Sequence, residues 1–368
     1  VAHAVTTGSV PVGPRAGDAH AAAAATIRRK ARPDCPLCGS PGAVRHAVLI
    51  DRWFGIAGEW GMRACARGEC GAWYLDPVPH PDDIPLLYRR YYTHDHDGVA
   101  WDALGKGLPR RARLAYLARV YGYRLKPSPP VWLGHLLALV PGRRENLDLS
   151  VLELRSEWRG PLLDVGCGVG VMVRLLRDLG WDAEGIDLDP AAVAVAQAGG
   201  LRVRVATLAD AGLAERGFAA VTSSHVIEHV PEPELFLRQC LRVTRPGGRL
   251  ALTTPNASSL GHRVFGARWR GLEPPRHLQV FTAASLARLA RAAGYEDVRV
   301  KRSARLAAVI VRETLRPDVV GLATSHPAGV PVRLVASGFQ MLERALLPFA
   351  REAGEELLLT ARAPGAPR

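Results

Sequence analysis

Long apolar runs are absent from this 368-residue chain. The longest of note, Val131 to Val140, is interrupted by Gly134 and His135 and has about half the length a membrane-crossing helix requires. No stretch approaches a transmembrane helix. A secretory pattern is missing too: in residues 1–30 the basic group Arg28, Arg29 and Lys30 follows the apolar part, the reverse of a signal peptide. The Ala-, Gly- and Thr-rich segment 1–30 is expected to be a disordered leader, and the expected location is cytoplasmic. Acidic residues are wholly absent from Ala103 to Arg144, where nine Lys or Arg occur. With a formal charge of +13, this imbalance fits nucleic acid, an anionic membrane, or an Arg-rich composition without a partner. The bland reading of 103–144 is the solvated face of a linker helix. Leu114, Leu117, Tyr121 and Leu125 give it an apolar side that packs on the rest of the chain or lies on a membrane surface. A peripheral contact at the inner membrane face through this segment stays open.

The chain also lacks a dinucleotide fingerprint, G-x-G-x-x-G. What it has instead is LLDVGCGVGVMVRLLRDLGWDAEGIDLD, Leu162 to Asp189. The apolar residues Leu162, Leu163 and Val165 predict a buried parallel strand, broken by Gly166, Gly168 and Gly170 before a helical pattern begins. Glycine suits a tight turn whose dihedrals a Cβ disfavours, and it lets a ligand approach bare backbone at the helix N-terminus. Val171, Leu175, Leu176 and Leu179 form one helix side, and a second strand runs from Ala183 to Ile186 and ends on Asp187, 21 residues after Gly166. A carboxylate at that strand tip is where a nucleotide-binding half-fold accepts two ribose hydroxyls. Asp164, two residues before the first glycine, would repel a pyrophosphate and suits a cationic ligand. A sulfonium nucleoside therefore fits better than a dinucleotide.

Four of the six cysteines fall in C35-P-L-C38 and C65-A-R-G-E-C70, with 26 residues between the pairs. Two close pairs joined by a loop are what tetrahedral zinc asks for, so Cys35, Cys38, Cys65 and Cys70 are the candidate ligands. Four thiolates leave no open position, which points to a structural metal. The C-x4-C half departs from the commoner C-x2-C, and no thioredoxin-like context surrounds Cys35.

The glycine stretch resembles motif I and the acidic strand end of class I S-adenosylmethionine-dependent methyltransferases. FAAVTSSHVIEHVPEPELFLRQCLRVTRPGGRLALTTPN (218 to 256) is similar to that family's fourth strand, next helix and fifth strand. The resemblance implies an α/β fold: a seven-stranded Rossmann-like methyltransferase sheet with a small N-terminal zinc-binding module and a helical connector. The expected division is a leader at 1–30, a zinc-knuckle module at 31–93, a connector or lid at 94–158, and the methyltransferase domain at 159–368. The cysteine pairs followed by L-D-P-V-P and Tyr91-Tyr92 resemble the N-terminal region of bacterial methyltransferases associated with glycan or secondary-metabolite pathways. Tyr88, Tyr91 and Tyr92 are expected as packing residues.

For the cofactor, the resemblance implies that Gly166, Gly168 and Gly170 face the methionine part, with Asp164 behind them. Asp187, with Leu188 beside it, holds the ribose. Thr207 and Leu208 give backbone contacts to adenine, and Ser224 borders the sulfonium. The segment S224-H-V-I-E-H229 holds the chemistry: if it turns helical, His225, Glu228 and His229 share one face. Relatives carry an acid-x-x-Glu-His version that can hold a divalent ion, and His225 in the first position weakens the case for magnesium. His229 therefore has three readings: base for a substrate hydroxyl, metal ligand, or structural residue. In the following loop, P-P-R-H-L matches a pattern of glycan-associated methyltransferases, making Arg276 a candidate for binding a substrate anion and His277 a second candidate base. A surface salt bridge and a packed histidine are their structural alternatives.

Thr282 is expected to cap a helix with Leu286, Leu289, Ala290 and Ala293 inward. Glu355 to Thr360 is expected as a late strand that the family inserts antiparallel between the fifth and sixth. The amphipathic stretch Leu334, Val335, Gly338, Phe339, Leu342 and Leu346 is expected as core cover or a dimer face. The expected function is methylation of a small-molecule or saccharide acceptor, most simply at oxygen, using S-adenosylmethionine and a structural zinc. Two alternatives stand beside it: an RNA-modifying enzyme docking through the knuckles and basic connector, and a non-catalytic cofactor-binding partner. Against RNA, the chain has T-P-N after the fifth strand and no N-P-P-Y to present an amine.

Overall fold

A computed structural model describes residues 27–88, 107–123, 131–315 and 329–365. Residues 1–26 of the leader, Tyr91 and Tyr92, and the connector residues 94–106 and 124–130 lie outside the described residues. The described chain opens with β1 (Arg29–Lys30), β2 (Gly42–Leu49), β3 (Trp60–Cys65), β4 (Trp73–Leu75) and β5 (Val78–Pro79). A 3-10 helix follows over Pro81–Tyr88. Three helices come next, α1 (Gly107–Tyr121), α2 (Val131–Ala138) and α3 (Pro141–Ser150).

From there strand and helix alternate: β6 (Pro161–Val165), α4 (Val171–Asp178), β7 (Asp182–Asp187), α5 (Pro190–Ala198), β8 (Val203–Val205), β9 (Phe218–Ser224), α6 (Pro233–Val243) and β10 (Thr244–Pro255). The chain continues through α7 (Leu260–Phe265), β11 (Gln279–Val280), α8 (Ala283–Ala292), β12 (Glu296–Ser303), α9 (Ala307–Thr314), α10 (Val330–Leu346) and β13 (Glu356–Arg362). The main sheet has seven strands in the order β12-β13-β10-β9-β6-β7-β8. β13 enters antiparallel between β10 and β12, as expected, while β6, β7, β8, β9 and β10 pair in parallel.

Period-two alternation decides which face each side chain covers. Leu162 belongs to the core with Val173, Leu176, Trp181 and Tyr123, whereas Leu163 joins Val221, Leu250, Leu286 and Leu289 on the other face. Both leucines are fully buried, each worth about 1.5–3 kcal/mol relative to exposure. Local signals place the helices. Asp189 accepts from Ala191 N at the start of α5, with Pro190 in its first turn. Thr282 and Ser285 form a reciprocal capping box for α8, whose Leu286, Leu289 and Ala290 point inward.

Strand order reverses at β6: β7 and β8 lie to one side, β9 and β10 to the other. Ligands in open α/β sheets bind at such a reversal, beyond the carboxyl ends of the strands. The loops after β6, β7 and β9 meet there.

The N-terminal strands are woven into the later part of the chain. β2, β3 and β4 form an antiparallel sheet whose fourth strand is β11, Val280 pairing with Trp73 and Gln279 with Tyr74. Arg29 and Lys30, placed by sequence in the leader, form β1 against β5, and Arg28 donates to Asp83 at 2.8 Å. The described connector helices pack beside α4: Tyr123 accepts from Trp181 Nε1 at 3.0 Å and donates to Leu154 O at 2.9 Å.

Of the two roles expected for the apolar stripe of α10, core cover is not what the structure shows. Leu334, Val335 and Leu342 of α10 are 68%, 57% and 50% exposed, so they do not cover the core. The helix docks instead through Ala336, Gln340 and Glu343, spaced four and three residues apart. Gln340 donates to Ala304 O and Arg305 O, and Glu343 accepts from Gly354 N. Phe339 of the stripe adds one apolar contact, its ring 5.9 Å from that of Phe265.

Candidate functional site

β6 delivers Val165 to the sheet edge, and Gly166, Gly168 and Gly170 turn the chain into α4 with φ of 70°, 51° and 83°. All three lie in the left-handed region, where a Cβ is disfavoured. Two are also packed from behind: a Cβ on Gly166 would meet Val226 Cγ2 at 2.3 Å, and one on Gly170 would meet Leu201 Cδ1 at 2.5 Å. A Cβ on Gly168 would meet nothing within 4 Å. Backbone is thus left open on one side of the turn, as a cradle for a ligand requires.

Asp187, at the end of β7, faces this turn. Its Oδ2 accepts from Gly168 N at 2.7 Å and its Oδ1 from Asp189 N at 2.8 Å. Each oxygen retains a lone pair for a further donor. Leu188 beside it is 69% exposed. Asp164 is buried at the base of the turn and accepts from the Thr222 hydroxyl at 2.7 Å. Burial pushes its carboxyl up to about 7; the Thr222 hydrogen bond opposes the rise and the nearby charge of Asp187 adds to it. A cation placed there would restore the carboxylate.

Thr207 lies after β8, its hydroxyl bonded to Asp210 Oδ2 at 2.7 Å and accepting from the Asp210 amide at 3.1 Å. Leu208 turns its side chain into the core, and its carbonyl accepts from Arg242. Ser224 closes β9, half-buried at the strand tip.

The next residues form a turn and not a helix, so His225 and His229 do not share a face. His225 has φ 55° and its amide is tied to Thr253 O at 2.9 Å. Its ring bridges two buried carboxylates, Glu228 Oε1 at 3.2 Å and Glu356 Oε1 at 3.0 Å. Burial disfavours the imidazolium, but Glu228 and Glu356 outweigh it and raise His225 to about 10. Burial likewise opposes charge on Glu228, whose hydrogen bond from His225 draws it down to about 2. With both ring nitrogens on carboxylates, the protonated His225 has no lone pair with which to accept a further proton.

His229 points the other way. Its Nδ1 lies 3.1 Å from Arg276 O and 3.1 Å from the Tyr88 hydroxyl. A carbonyl partner places the proton on Nδ1, which leaves Nε2 with its lone pair. The His277 ring stands edge-on at 4.7 Å. His277 is nearly buried, with Nδ1 2.8 Å from Gly271 O and Nε2 3.6 Å from Glu273 Oε2. Burial lowers it to about 4, with Glu273 pulling the other way, so it is a neutral imidazole at pH 7. One ligand atom from each of Glu228, His229 and His277 lies within 4.8 Å of the others, a spacing a divalent cation could span.

Arg276, expected at a substrate anion, is instead fully buried. Its guanidinium reaches Asp51 Oδ2 at 3.0 Å and Glu273 Oε1 at 3.0 Å, and lies 4.0 Å from the Phe54 ring. The expectation fails because Asp51 and Glu273 already match this fork, leaving it no face for a substrate. Gln279 pins the histidine turn from the same loop by donating to Ile227 O at 3.0 Å and Val230 O at 2.6 Å. Tyr88, Asp51, Glu273 and Gln279 were not legible as site residues. Only the P-P-R-H-L stretch pointed towards their loop.

The four cysteines converge. Cys35 Sγ and Cys70 Sγ are 3.7 Å apart, Cys38 Sγ and Cys65 Sγ 3.4 Å, and all four sulfurs lie within 4.8 Å of one another. A tetrahedron with Zn–S bonds of about 2.3 Å has edges of about 3.8 Å, which these spacings approach. Arg288 of α8 donates to Cys70 Sγ at 2.8 Å, a hydrogen bond of the kind that supports a thiolate ligand.

Residues 142–300 match a sequence family described as a methyltransferase domain. A ubiquinone biosynthesis O-methyltransferase from Thiobacillus denitrificans is 32% identical over 164 residues, 39% of this chain and 71% of the relative. The protein of the same name from Xanthomonas oryzae pv. oryzae is 40% identical over 124 residues, 31% of this chain and 52% of the relative. The chain thus spans about half the length of the Xanthomonas relative. Among solved structures, phosphoethanolamine N-methyltransferase 2 from Haemonchus contortus, in complex with S-adenosyl-L-methionine, overlaps 83% of this chain and 69% of its own at 16% identity and a TM-score of 0.44.

Proposed function

Because this chain belongs to the class I S-adenosylmethionine-dependent methyltransferases, we propose that it methylates a hydroxyl of a small-molecule or saccharide acceptor, with His229 as the base. The observation that carries this reading is the seating of His229: Nδ1 is held by Arg276 O and Tyr88, and Val226 of the same turn packs on Gly166 of the cradle. A proton acceptor and a cofactor cradle are thereby joined in one packed unit.

When bound, S-adenosylmethionine supplies an electrophilic methyl group on a sulfonium. Gly168 offers open backbone, Asp187 keeps lone pairs for two ribose hydroxyls, and Asp164 offers a carboxylate to a cation. Leu188, Thr207, Leu208 and Ser224 border the same crevice at the tips of β7, β8 and β9. His229 Nε2 takes the acceptor's hydroxyl proton, which raises its nucleophilicity at the moment of in-line approach. Glu228 and Glu273 supply negative charge around the imidazolium that forms. His225, with both ring nitrogens on carboxylates, positions Glu228, and His277, whose low basicity makes it the poorer proton acceptor, packs against the base. In the same reading Cys35, Cys38, Cys65 and Cys70 hold a structural zinc, and residues 31–93 act as a scaffold for the 256–281 loop.

The name shared by the curated relatives supports oxygen as the methylated atom. Incubation with methyl-labelled S-adenosylmethionine and a panel of phenolic, catecholic and saccharide acceptors tests it, with the product's methyl carbon read by NMR. An O-methyl shift lost in His229→Ala while S-adenosylmethionine binding persists fits. Methyl transfer to nitrogen, or an undiminished rate in His229→Ala, overturns the assignment of the base.

A further inference from the structure

A cleft of about 840 Å³ opens where α1, α3 and the 3-10 turn Ser156–Trp158 face the start of β10 and the end of β13. It is not the methyl-transfer crevice. Arg249 and Ala251 line it, whereas His225 is tied to Thr253, roughly 13 Å further along the strand from Arg249 at about 3.3 Å per residue.

Its walls carry six cations: Arg119, Arg144, Arg155, Arg249, Arg299 and Lys301. Three acids also line it, and each is engaged. Asp148 accepts the hydroxyls of Tyr116 and Tyr121 at 2.7 Å each, Glu153 holds Lys301 at 2.5 Å, and Asp297 holds Arg362 at 2.6 Å. Among the described residues, none of the five arginines has a carboxylate within ion-pair distance. Arg249 is the most constrained. Its guanidinium lies 4.2 Å over the Trp158 ring, and its Nε is buried without a hydrogen-bond partner. Burial and the neighbouring Arg362 and Arg299 disfavour its charge, and the more distant carboxylates of Asp297 and Glu157 offset this only in part.

Five guanidiniums without an ion-pair partner repel one another around one concavity, weakly for the exposed Arg119, Arg144, Arg155 and Arg299, and the buried Arg249 N–H without an acceptor costs free energy. A phosphate-bearing anion relieves both, since guanidinium forks match phosphate oxygens. The volume exceeds what a single phosphate fills and lies in the range of small-molecule sites. Val120, Leu152, Leu154 and Trp158 supply apolar wall for an organic part. We propose that this cleft is a binding site for an organic diphosphate, separate from the methyl-transfer site. A continuous RNA backbone fits less well, because the unpartnered Arg249 Nε is buried and not on an open surface.

Calorimetric titration of the full chain with inorganic pyrophosphate and with uridine diphosphate tests the site, alongside flotation with phosphatidylcholine vesicles with or without a polyprenyl diphosphate. Saturable one-to-one binding of a soluble diphosphate is expected, and uridine diphosphate binding tighter than pyrophosphate identifies a nucleotide source. Binding confined to diphosphate-bearing vesicles identifies a lipid-borne source. Arg249→Gln and Arg299→Gln should each weaken binding by about tenfold or more. Melting temperature should be unchanged or higher, since each substitution removes an unpaired cation, and S-adenosylmethionine binding should be untouched. No binding of any diphosphate at millimolar concentration overturns the proposal. So does binding that both variants leave intact, or affinity for RNA alone that falls steeply with salt. None of these results bears on the methyltransferase reading.

Discussion

Arg276 and Asp51, 225 residues apart in sequence, form an ion pair at 3.0 Å in which both side chains are wholly buried. Asp51 also accepts the amides of Trp53, Phe54 and Ile56 at 3.0 Å each, so the pair locks an N-terminal loop to the loop that carries His277. Removing one partner strands a buried charge, which costs about 3–5 kcal/mol, whereas removing both spares much of that. Arg276→Met is therefore expected to lower stability by about this amount in denaturant unfolding. The double variant Asp51→Asn with Arg276→Met should recover a substantial part. Equal losses in the single and double variants would show that the pair does not hold the loops together.

His229 and Tyr88 predict a split between rate and binding. His229→Ala removes the acceptor of the substrate proton and should lower kcat by about 10²–10⁴-fold. Tyr88→Phe deletes one hydrogen bond to the imidazole and should cost about threefold to tenfold. Affinity for S-adenosylmethionine, measured by calorimetry, should change in neither, because neither side chain touches the glycine turn. A parallel loss of cofactor affinity would mean that the turn has collapsed.

Asp164 predicts proton release. Its carboxyl titrates near about 7, so at pH 6.5 most copies of the apo protein hold a proton there. A cationic ligand favours the carboxylate, and binding should expel a fraction of a proton, seen as a binding enthalpy that depends on the buffer's ionisation enthalpy. The effect should vanish in Asp164→Asn. The same raised pKa sets a stability trend. Between the unfolded value of about 3.9 and 7, the folded chain holds more protons, so this group's contribution is fullest below pH 4 and is lost as pH rises through 7.

The sheet was readable because its rules are local. The glycine turn and the Thr282 cap follow from short stretches of sequence, whereas the antiparallel place of the late strand came with the family resemblance. Of the cofactor candidates, the glycines, Asp164 and Asp187 were read from one such stretch, and Thr207, Leu208 and Ser224 from the resemblance. Missing were the groups brought in from the N-terminal part: Tyr88 reaches His229, and Asp51 reaches Arg276, across a boundary where β4 pairs with β11, a contact joining Trp73 to Val280 that no periodicity announces. Spacing suggested that His225 and His229 share a helical face, but the turn separates them, and two buried carboxylates give His225 a charge that its sequence neighbours could not reveal.

A metal held by the four cysteines would be tied to the rest of the fold through Arg288. Its guanidinium donates to Cys70 Sγ from α8, the helix that covers the β9–β10 face through Leu286 and Leu289. A thiolate bound to zinc is the stronger acceptor for that hydrogen bond, so the metal should stabilise α8 as well as the knuckle. Atomic absorption should give one zinc per chain, and Cys70→Ser should reduce its retention. Hydrogen exchange should then show faster amide exchange in both 35–75 and 283–292. Arg288→Gln should keep the zinc while loosening 283–292 alone, because the four sulfurs remain in place. Exchange confined to the knuckle in Cys70→Ser would show that the metal supports only its own loop, and that the contact with α8 is incidental.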